Sequence, residues 1–502
     1  MGVVSACSLV VDSSKDQCDS DAQCVAKGQG FASTVCTNHM CLPKKAPVGK
    51  CEGSLKVKGI MTLTGPTSEV GVPYALGIKD YFNEINANGG IKGAAQGNAD
   101  GCKIEYEEKN DEYVPANAVG FWEAWAKDSS WKDVVQVMTW GSDTTIQLAP
   151  KATEHRKPTI SASYSGILAS PLPANAKANV PEVGSNFNES SLSQEFKSEG
   201  YPYSFFAGTD YSTSIRTAMF HAKSLGAKRV GFFYCFNAAY CRGPIPAGRS
   251  YARDPAININ IGRDLETPLT SDEATYDSIV YDYFKKELDY KKTHPDYDPV
   301  DWIWVGNTQR TAAFIAKSAE KAYQALRTYN PPMAAQVQIM INVYGFDEGL
   351  YPQCRGACVG NVHGVLPFLA YGDRSRGSSE MQKVVDLHNK WRAAEGDGDA
   401  GAGINTKSAK YVQGYISAMM FRLAVERLVG EGKVVTAEAL KNAYESFSPS
   451  GMNTSGLSAA LTFSPQDHRP QSSVAIYKID SDGNLVFEAD RNIARQDEWR
   501  GW

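Results

Sequence analysis

A regular alternation of strand-like and helix-like patterns, beginning at residue 55, limits the fold of this chain more than any other feature. Short apolar runs alternate with longer segments whose apolar residues recur at helical spacing, as in Pro73–Gly90. This alternation predicts right-handed βαβ units and therefore parallel sheets. The strands of a first sheet are expected to begin near Leu55, Cys102, Val134 and Pro158, and those of a second sheet near Arg229, Asp301 and Val337. The sequence thus predicts an α/β protein with two parallel-sheet lobes.

Two stretches interrupt the alternation. Pro171–Glu199 is polar with few apolar anchors, and Arg242–Pro268 is rich in Gly, Pro and Arg. Both are expected to be insertions, the first of them on the surface. Helical spacing then resumes, with a long helix expected in Ser408–Gly430 and a last pair of strands within Ser472–Ala489.

The size and charge of the chain exclude several classes of protein. Its 502 residues are too many for one compact core, which predicts two or three domains. The formal net charge is −5, and no Lys/Arg run or basic stripe indicates a nucleic-acid partner. No apolar run approaches the roughly 18 residues that a membrane-spanning helix needs. Any membrane association is therefore expected to be through a tether.

The cysteines predict a disulfide-bonded module at the start of the chain. Six of the 11 cysteines precede residue 52, and this density is typical of proteins in oxidising compartments. A zinc site is the alternative, but the spacings lack C-x2-C pairs and the only nearby histidine in the sequence is His39. Residues 1–52 are therefore expected to form a small Cys-rich module followed by a Pro/Lys/Gly linker.

An odd number of cysteines leaves Cys7 over if the other ten pair. Cys7 ends the tetrapeptide Val-Ser-Ala-Cys, which resembles the lipobox of bacterial lipoproteins. The resemblance implies a lipid on Cys7, and the alternative is a free or otherwise paired thiol. The other cysteines are expected to form two bridges among Cys18, Cys24, Cys36 and Cys41, in any of three pairings, and the bridges Cys51–Cys102, Cys235–Cys241 and Cys354–Cys358.

Two neighbouring strands of the first sheet are expected to end in hydroxyl-rich segments. The segment Gly141–Thr145 (GSDTT) follows the third strand, and Ser161–Ser165 (SASYS) follows the fourth. Ser, Thr and Asp are good helix caps, so ordinary capping is one interpretation. The other is a ligand site, because ligands of open α/β sheets bind at the carboxyl ends of strands beside helix N-termini. The coincidence of both segments favours the ligand site.

Enzyme signatures are missing from the sequence. It contains no G-x-S-x-G elbow, no H-E-x-x-H and no P-loop. Its seven histidines are scattered without metal-ligand spacing, and His221 and His363 are expected to be packed structural residues. The sequence therefore predicts a protein that is not an enzyme and that needs no metal or cofactor.

The stretch Thr62–Gly93 resembles the opening of the leucine/isoleucine/valine-binding family, the type I periplasmic binding proteins of ABC importers. The resemblance extends through Asn110–Val119 and Thr139–Ser165 and covers roughly residues 53–502. It implies a two-lobed fold in which the chain crosses the hinge near Asp210, Val365 and Phe463. Lobe one would comprise residues 53–208 and 365–462, and lobe two residues 209–364 and 463–502.

The resemblance also implies a solute site between the lobes. The implied ligand-binding residues are Trp140, Ser142, Asp143, Thr144, Ser163, Tyr164, Ser165, Tyr211, Tyr240, Asn307, Thr308 and Tyr344. Two positions depart from the family. Val70 stands where some relatives have an aromatic residue. The position at which relatives have a carboxylate for the ligand's ammonium falls near Val343–Tyr344, and neither of these residues is acidic. Asp347, Glu348 or Asp143 could substitute, and an amide, a polyol or a cation-bearing solute are alternatives to an amino acid.

The implied function is that of an extracytoplasmic solute receptor. Such a protein binds a small polar solute by domain closure, acts as a monomer in the periplasm or on a bacterial membrane surface, and delivers the solute to an ABC permease. The first alternative is a sensor domain of the same fold that signals through a partner. A second alternative assigns adhesion or docking to the Cys-rich module.

Overall fold

The computed structural model describes residues 17–28, 31, 34–43, 53–92, 101–183, 189–393 and 404–501. Cys7 and Cys51, for which a lipid and a bridge are predicted, lie outside these residues. The strands are β1 (Thr34–Thr37), β2 (Met40–Pro43), β3 (Leu55–Met61), β4 (Ile104–Asn110), β5 (Val134–Thr139), β6 (Thr159–Ser161), β7 (Ala174–Val183), β8 (Glu189–Ser198), β9 (Ser204–Phe206), β10 (Arg229–Cys235), β11 (Asn260–Thr267), β12 (Trp302–Gly306), β13 (Gln338–Ile341), β14 (Val362–Leu366), β15 (Ser473–Ile479) and β16 (Leu485–Asn492).

The helices between the strands follow the helical spacing of the sequence. They are α1 (Asp21–Val25), α2 (Ser68–Ala87), α3 (Pro115–Ala126), α4 (Ser142–Glu154), α5 (Tyr211–Ser224), α6 (Ala239–Arg242), α7 (Ile245–Ala252), α8 (Glu273–Thr293), α9 (Gln309–Leu326), α10 (Leu350–Cys354), α11 (Ser379–Trp391), α12 (Ala409–Gly430) and α13 (Ala437–Glu445). None of the described helices is both long and apolar enough to cross a membrane.

Two sheets organise the main part of the chain, as predicted. The first has the order β4-β3-β5-β6-β9, and all its neighbours are parallel. The second has the order β11-β10-β12-β13-β14-β15-β16. Its strands are parallel from β11 to β14, while β15 and β16 join as antiparallel strands. The strands β5 and β12 are buried at every position and mostly apolar, as expected when helices cover both faces of a parallel sheet.

Helix α12 returns the chain from the second sheet to the first. It follows β14 in sequence but packs along α2, and two glycines allow the close approach of the helices. A Cβ atom on Gly77 would collide with the carbonyl oxygen of Tyr411, and one on Gly414 with the carbonyl oxygen of Tyr74. Only residues without a side chain fit at these two crossing points. The chain then enters the second sheet again at β15.

Both stretches predicted as insertions contain helices or strands that the sequence pattern did not reveal. In Pro171–Glu199, β7 and β8 form an antiparallel hairpin. The alternate residues Ala178 and Val180 are buried, as is Phe196, whose ring lies 5.6 Å from Trp499. A hairpin that buries only one face needs few apolar residues. Its polar composition therefore did not indicate strands. Arg242–Pro268 contains α7 and the edge strand β11, which pairs with β10.

The N-terminal module is held by two disulfides, Cys18–Cys36 and Cys24–Cys41. Its strands β1 and β2 pair as an antiparallel hairpin beside α1. The disulfide interpretation therefore agrees with the structure, and one of the three pairings is selected. The expected short-loop bridges Cys235–Cys241 and Cys354–Cys358 are also present. Cys102 is disulfide-bonded.

Candidate functional site

The two hydroxyl-rich segments of the first sheet meet at their strand ends. Ser163 Oγ donates a hydrogen bond to Ser142 Oγ at 2.9 Å. Ser142 Oγ also lies 2.9 Å from the hydroxyl of Tyr211, the first residue of α5. Gly141 has φ 80° between β5 and α4, and a Cβ atom there would meet the ring of Tyr113. This glycine turn aims Ser142 at Tyr211 and completes a chain of three hydroxyls.

Other predicted residues of these segments support the loops instead. Thr144 Oγ1 donates to Asp111 Oδ2 at 2.6 Å, and Thr62 Oγ1 donates to Asp111 Oδ1 at 2.7 Å. The Tyr164 hydroxyl accepts from Gln413 Nε2 at 2.6 Å. Ser165 is buried but lines neither of the two cavities described below. Thr144 and Tyr164 are therefore already engaged by partners within the chain.

Asp143 joins the two halves of the molecule. Its Oδ2 accepts from the Tyr113 hydroxyl at 2.9 Å, and its Oδ1 accepts from the backbone N–H of Ala239 at 3.1 Å. Asp143 belongs to α4, which follows the first sheet, and Ala239 begins α6, which follows β10 of the second sheet. This contact closes one side of the cleft between the two sets of strand ends.

Tyr344 fills the space beside Ser142. Its ring centroid lies 5.5 Å from those of Trp140 and Tyr240, and 6.1 Å from that of Tyr211. The Tyr211 hydroxyl donates to the Tyr344 hydroxyl at 3.3 Å.

A cavity of only about 10 Å³ remains beside these rings. It is lined by Thr67, Val70, Tyr113, Trp140, Gly141, Ser142, Tyr240, Thr308 and Tyr344. A space of this size holds roughly one water molecule. An amino acid therefore does not fit beside Ser142 in this conformation.

A much larger cavity opens next to the small one. Its volume is about 970 Å³, within the range of small-molecule sites. Thr308 borders both cavities, so the two are neighbours. Its polar lining includes Ser68 and Glu69 of α2, Asp272 before α8, Gln309 and Arg310 of α9, and Asn405. The cleft therefore has an aromatic inner end and a roomy polar outer part.

Two carboxylates beside the cleft are held by groups of the chain. Burial raises the pKa of Asp347, whose carboxylate accepts from Gln309, and Lys410 Nζ lies 4.0 Å away. Burial and the neighbouring Asp347 raise the pKa of Glu348 to about 8. Glu348 accepts from the backbone N–H groups of Tyr371 and of Ala409, the first residue of α12. These residues and Asp143 were candidates for an ammonium partner, and all three already have partners within the chain.

One hydroxyl beside the small cavity differs from the others. Tyr240 OH is buried and has no hydrogen-bond partner among the residues that the structure describes, whereas the Thr308 hydroxyl bonds the Glu69 carboxylate. Thr308 is the N-cap residue of α9, yet its hydroxyl does not cap the helix. The predicted residue Asn307 has a supporting role, because its amide donates to the Pro268 carbonyl at 3.2 Å and accepts from Thr308 N at 2.8 Å.

Metal-ligating side chains gather in two places within the described ranges. Cys18, Cys24 and Cys36 form one group, but their sulfurs are in disulfides. His221, His363 and Glu488 form the other, on α5, β14 and β16. Glu488 Oε2 lies 2.7 Å from His363 Nδ1 and 3.3 Å from His221 Nε2, and Arg491 Nε donates to His221 Nδ1 at 3.2 Å. Because His221 Nδ1 accepts from Arg491, the ring proton of His221 lies on Nε2 and faces Glu488. The hydrogen bonds of this cluster are therefore made within the chain.

The structure brings five of the predicted residues together. Trp140, Ser142, Tyr240, Thr308 and Tyr344 all line the small cavity. Glu69, Asp111 and Tyr113 were missed. Asp111 and Tyr113 follow the carboxyl end of β4, so the strand-end rule that selected Ser142 could have found them. Glu69 lies in the first turn of α2, where acidic residues commonly stabilise the helix dipole, so the sequence did not single it out.

Comparisons with known proteins agree with this architecture. Residues 54–275 match a family model described as periplasmic binding protein. The structure is similar to an ABC transporter substrate-binding protein from Aeropyrum pernix, with a TM-score of 0.67 and 22% identity over 90% of this chain and 99% of that chain. No curated protein matches the chain.

Two further solved structures have the same fold and different ligands in their descriptions. One is a branched-chain amino acid ABC transporter protein from Thermus thermophilus with bound valine, with a TM-score of 0.66 and 17% identity over 90% of this chain and 99% of that chain. The other is a fatty acid ABC transporter substrate-binding protein from Thermomonospora curvata, with a TM-score of 0.64 and 16% identity over 90% of this chain and 96% of that chain. Residues 54–275 are thus similar to the periplasmic binding protein family, and the structure has the fold of these solved substrate-binding proteins.

Proposed function

We propose that this chain is the extracytoplasmic solute-binding component of an ABC importer and binds a small polar solute by domain closure. The two lobes of this proposal are residues 53–208 with 365–462 and residues 209–364 with 463–502. The observation that carries it is the hydroxyl chain from Ser163 through Ser142 to Tyr211, which joins strand ends of the first sheet to α5. Lobes that touch through polar groups around a cavity are suited to hinge closure on a ligand.

The size and lining of the cleft support a small polar solute. The larger cavity of about 970 Å³ is bordered by hydroxyl, amide and charged side chains together with apolar ones such as Phe314. The descriptions of the relatives name valine for one protein and fatty acids for another. Because the fold accepts such different ligands, the side chains of this cleft decide what it binds.

A thermal-shift screen tests the proposal. The purified, oxidised protein is tested against amino acids, small carboxylates, amides and polyols. A solute at 100 times its Kd should stabilise the protein by about 2.7 kcal/mol. Ser142→Ala should weaken binding, because it breaks the hydroxyl chain between the lobes, whereas Ser129→Ala on an exposed turn should not. A screen in which no solute at millimolar concentration shifts the melting temperature contradicts the proposal.

We also propose that Cys7 carries a lipid and anchors the protein at the outer face of a bacterial membrane. The lipobox-like sequence Val-Ser-Ala-Cys supports this attachment. Metabolic labelling with a clickable fatty acid should label the wild-type protein expressed in bacteria, and Cys7→Ser should not be labelled. Equal labelling of both forms contradicts an anchor on Cys7.

A further inference from the structure

The loop Cys235–Cys241 (CFNAAYC) carries two groups that face the opposite side of the cleft. The backbone N–H of Ala239 donates to the Asp143 carboxylate, at 3.1 Å from Oδ1 and 3.3 Å from Oδ2. The next residue, Tyr240, lines the small cavity together with Trp140, which follows β5. One short loop after β10 thus presents two adjacent residues to the opposite wall of the cleft.

A disulfide closes this loop at its base. Cys235 is the last residue of β10, Cys241 lies in the short helix α6, and a bridge joins their sulfurs. Both cysteines are fully buried, whereas Phe236 and Asn237 are exposed. The bridge therefore connects two buried ends of a loop whose first residues face solvent.

Different contacts hold the two halves of this loop. In the first half, the backbone N–H of Phe236 and the Oδ1 of Asn237 hydrogen-bond to backbone groups at and just after the end of β11, both at 3.0 Å. In the second half, the bond from the Cys241 N–H to the Ala238 carbonyl is local to the turn that begins α6. The disulfide is thus the covalent tie between β10 and the turn that carries Ala239.

A loop that is held in one conformation before the solute arrives favours binding. A free loop loses conformational entropy when it is fixed, and this loss opposes association. A disulfide that rigidifies the loop in its bound conformation avoids part of the loss. The bridge Cys354–Cys358 also closes a short loop, but its enclosed residues Arg355–Ala357 line neither cavity. The two bridges therefore differ in what their loops present to the cleft.

We propose that the Cys235–Cys241 disulfide is a positioning element for solute binding, which holds the Ala239 N–H and the Tyr240 ring where the closed cleft needs them. This inference rests on the solute-binding function proposed above, with closure as the mode of binding. The two cysteines line neither cavity and act through Ala239, whose N–H reaches Asp143. Without the bridge the loop gains freedom, and closure must then fix it at a greater entropic cost.

A double-mutant cycle tests this role. Cys235→Ala/Cys241→Ala removes the bridge and keeps small apolar side chains at two buried positions. The matched control is Cys354→Ala/Cys358→Ala, which removes the other short-loop bridge. Each form is made with and without Asp143→Ala, and circular dichroism verifies that it folds. Calorimetry then measures the affinity of the tightest binder among the common amino acids, succinate, butyramide and sorbitol.

Removal of the Cys235–Cys241 bridge is expected to lower the affinity of this probe about tenfold, while the control stays within about twofold of the wild type. Asp143→Ala should lower the affinity about tenfold with the bridge present but less than about threefold without it, because both changes disturb the same contact. An unchanged affinity without the bridge, an equal loss in the control, or an equal effect of Asp143→Ala in both backgrounds overturns the inference and leaves the solute-binding function standing. A bridge-free variant that does not fold also overturns it, because the bridge then serves the fold. The absence of binding of the wild type to every probe overturns both.

Discussion

The Asp143 carboxylate accepts a hydrogen bond from the backbone N–H of Ala239 at 3.1 Å, across the cleft between the two sheets. The same carboxylate accepts from the Tyr113 hydroxyl at 2.9 Å on its own side. Tyr113 thus orients Asp143 toward the first residue of α6. If the cleft closes on a solute as proposed, this bond forms in the closed form and is absent from an open one.

Asp143→Ala is therefore expected to weaken solute binding. Loss of a charged acceptor should destabilise the closed form by about 1.5–3 kcal/mol, which lowers the apparent affinity about tenfold or more. Isothermal titration with a solute found by thermal shift measures this change. Asp133→Ala is the control, because Asp133 forms only a 3.4 Å surface ion pair with Lys56. Equal affinities of the two variants would contradict a closing role for Asp143.

Tyr344 is expected to stabilise the protein mainly through its ring. Tyr344→Ala removes contacts with Trp140, Tyr211 and Tyr240 and should cost about 3–5 kcal/mol in denaturant unfolding. Tyr344→Phe keeps the ring, loses the hydroxyl's 3.3 Å contact with Tyr211 and its hydrogen bond with Gln413, and should cost about 1–2 kcal/mol. If the two variants are equally stable, the ring does not fill the cleft in solution.

Glu488 is expected to make the protein sensitive to acid. Burial would raise the pKa of Glu488, but hydrogen bonds with His221 and His363 outweigh burial and hold it well below its ordinary value. The ionised form therefore stabilises the fold above the unfolded pKa of about 4.5, and this stability is lost as the pH falls below that value. Glu488→Gln should lose about 1.5–3 kcal/mol of unfolding free energy at pH 7.

The difference between wild type and Glu488→Gln should shrink as the pH is lowered from 5 to 3, because Glu488 of the unfolded chain is then protonated while that of the folded protein stays ionised, and it should vanish only as the pH falls through the folded-state pKa. Urea unfolding at a series of pH values measures it, with Glu105→Gln as an exposed control. A difference that stays constant with pH would show that the carboxylate charge does not stabilise the histidine pair.

The α2–α12 crossing is expected to tolerate no side chain. Gly414→Ala would place a methyl group against the carbonyl oxygen of Tyr74 and should destabilise the protein by about 1–3 kcal/mol. Gly120→Ala in α3 is the matched control, since a Cβ atom there meets nothing within 4 Å. This control should gain about 0.5–1 kcal/mol. Thermal unfolding of both variants checks the opposite signs, and a neutral Gly414→Ala contradicts the close packing.

Local sequence patterns predicted the two sheets, whereas the contacts within the candidate site depend on packing between residues far apart in sequence. The first sheet follows from apolar strands separated by helical spacing, and Ser142 and Ser163 were predicted because parallel strands end at one edge. The hairpin of β7 and β8 was missed because one half-buried face leaves a polar composition. The contacts of Tyr344 and the pairing of Glu488 with two histidines join residues far apart in sequence, so no local spacing reveals them.

Closure of the cleft on a solute is the central claim, and small-angle X-ray scattering tests it most directly. The radius of gyration of the oxidised protein is measured without solute and with a saturating amount of a solute that raises the melting temperature. A solute that shifts the hinge toward the closed state should decrease the radius of gyration. Asp143→Ala should need more solute for the same decrease. A solute that stabilises the protein but leaves the radius of gyration of the wild type unchanged would contradict binding by closure.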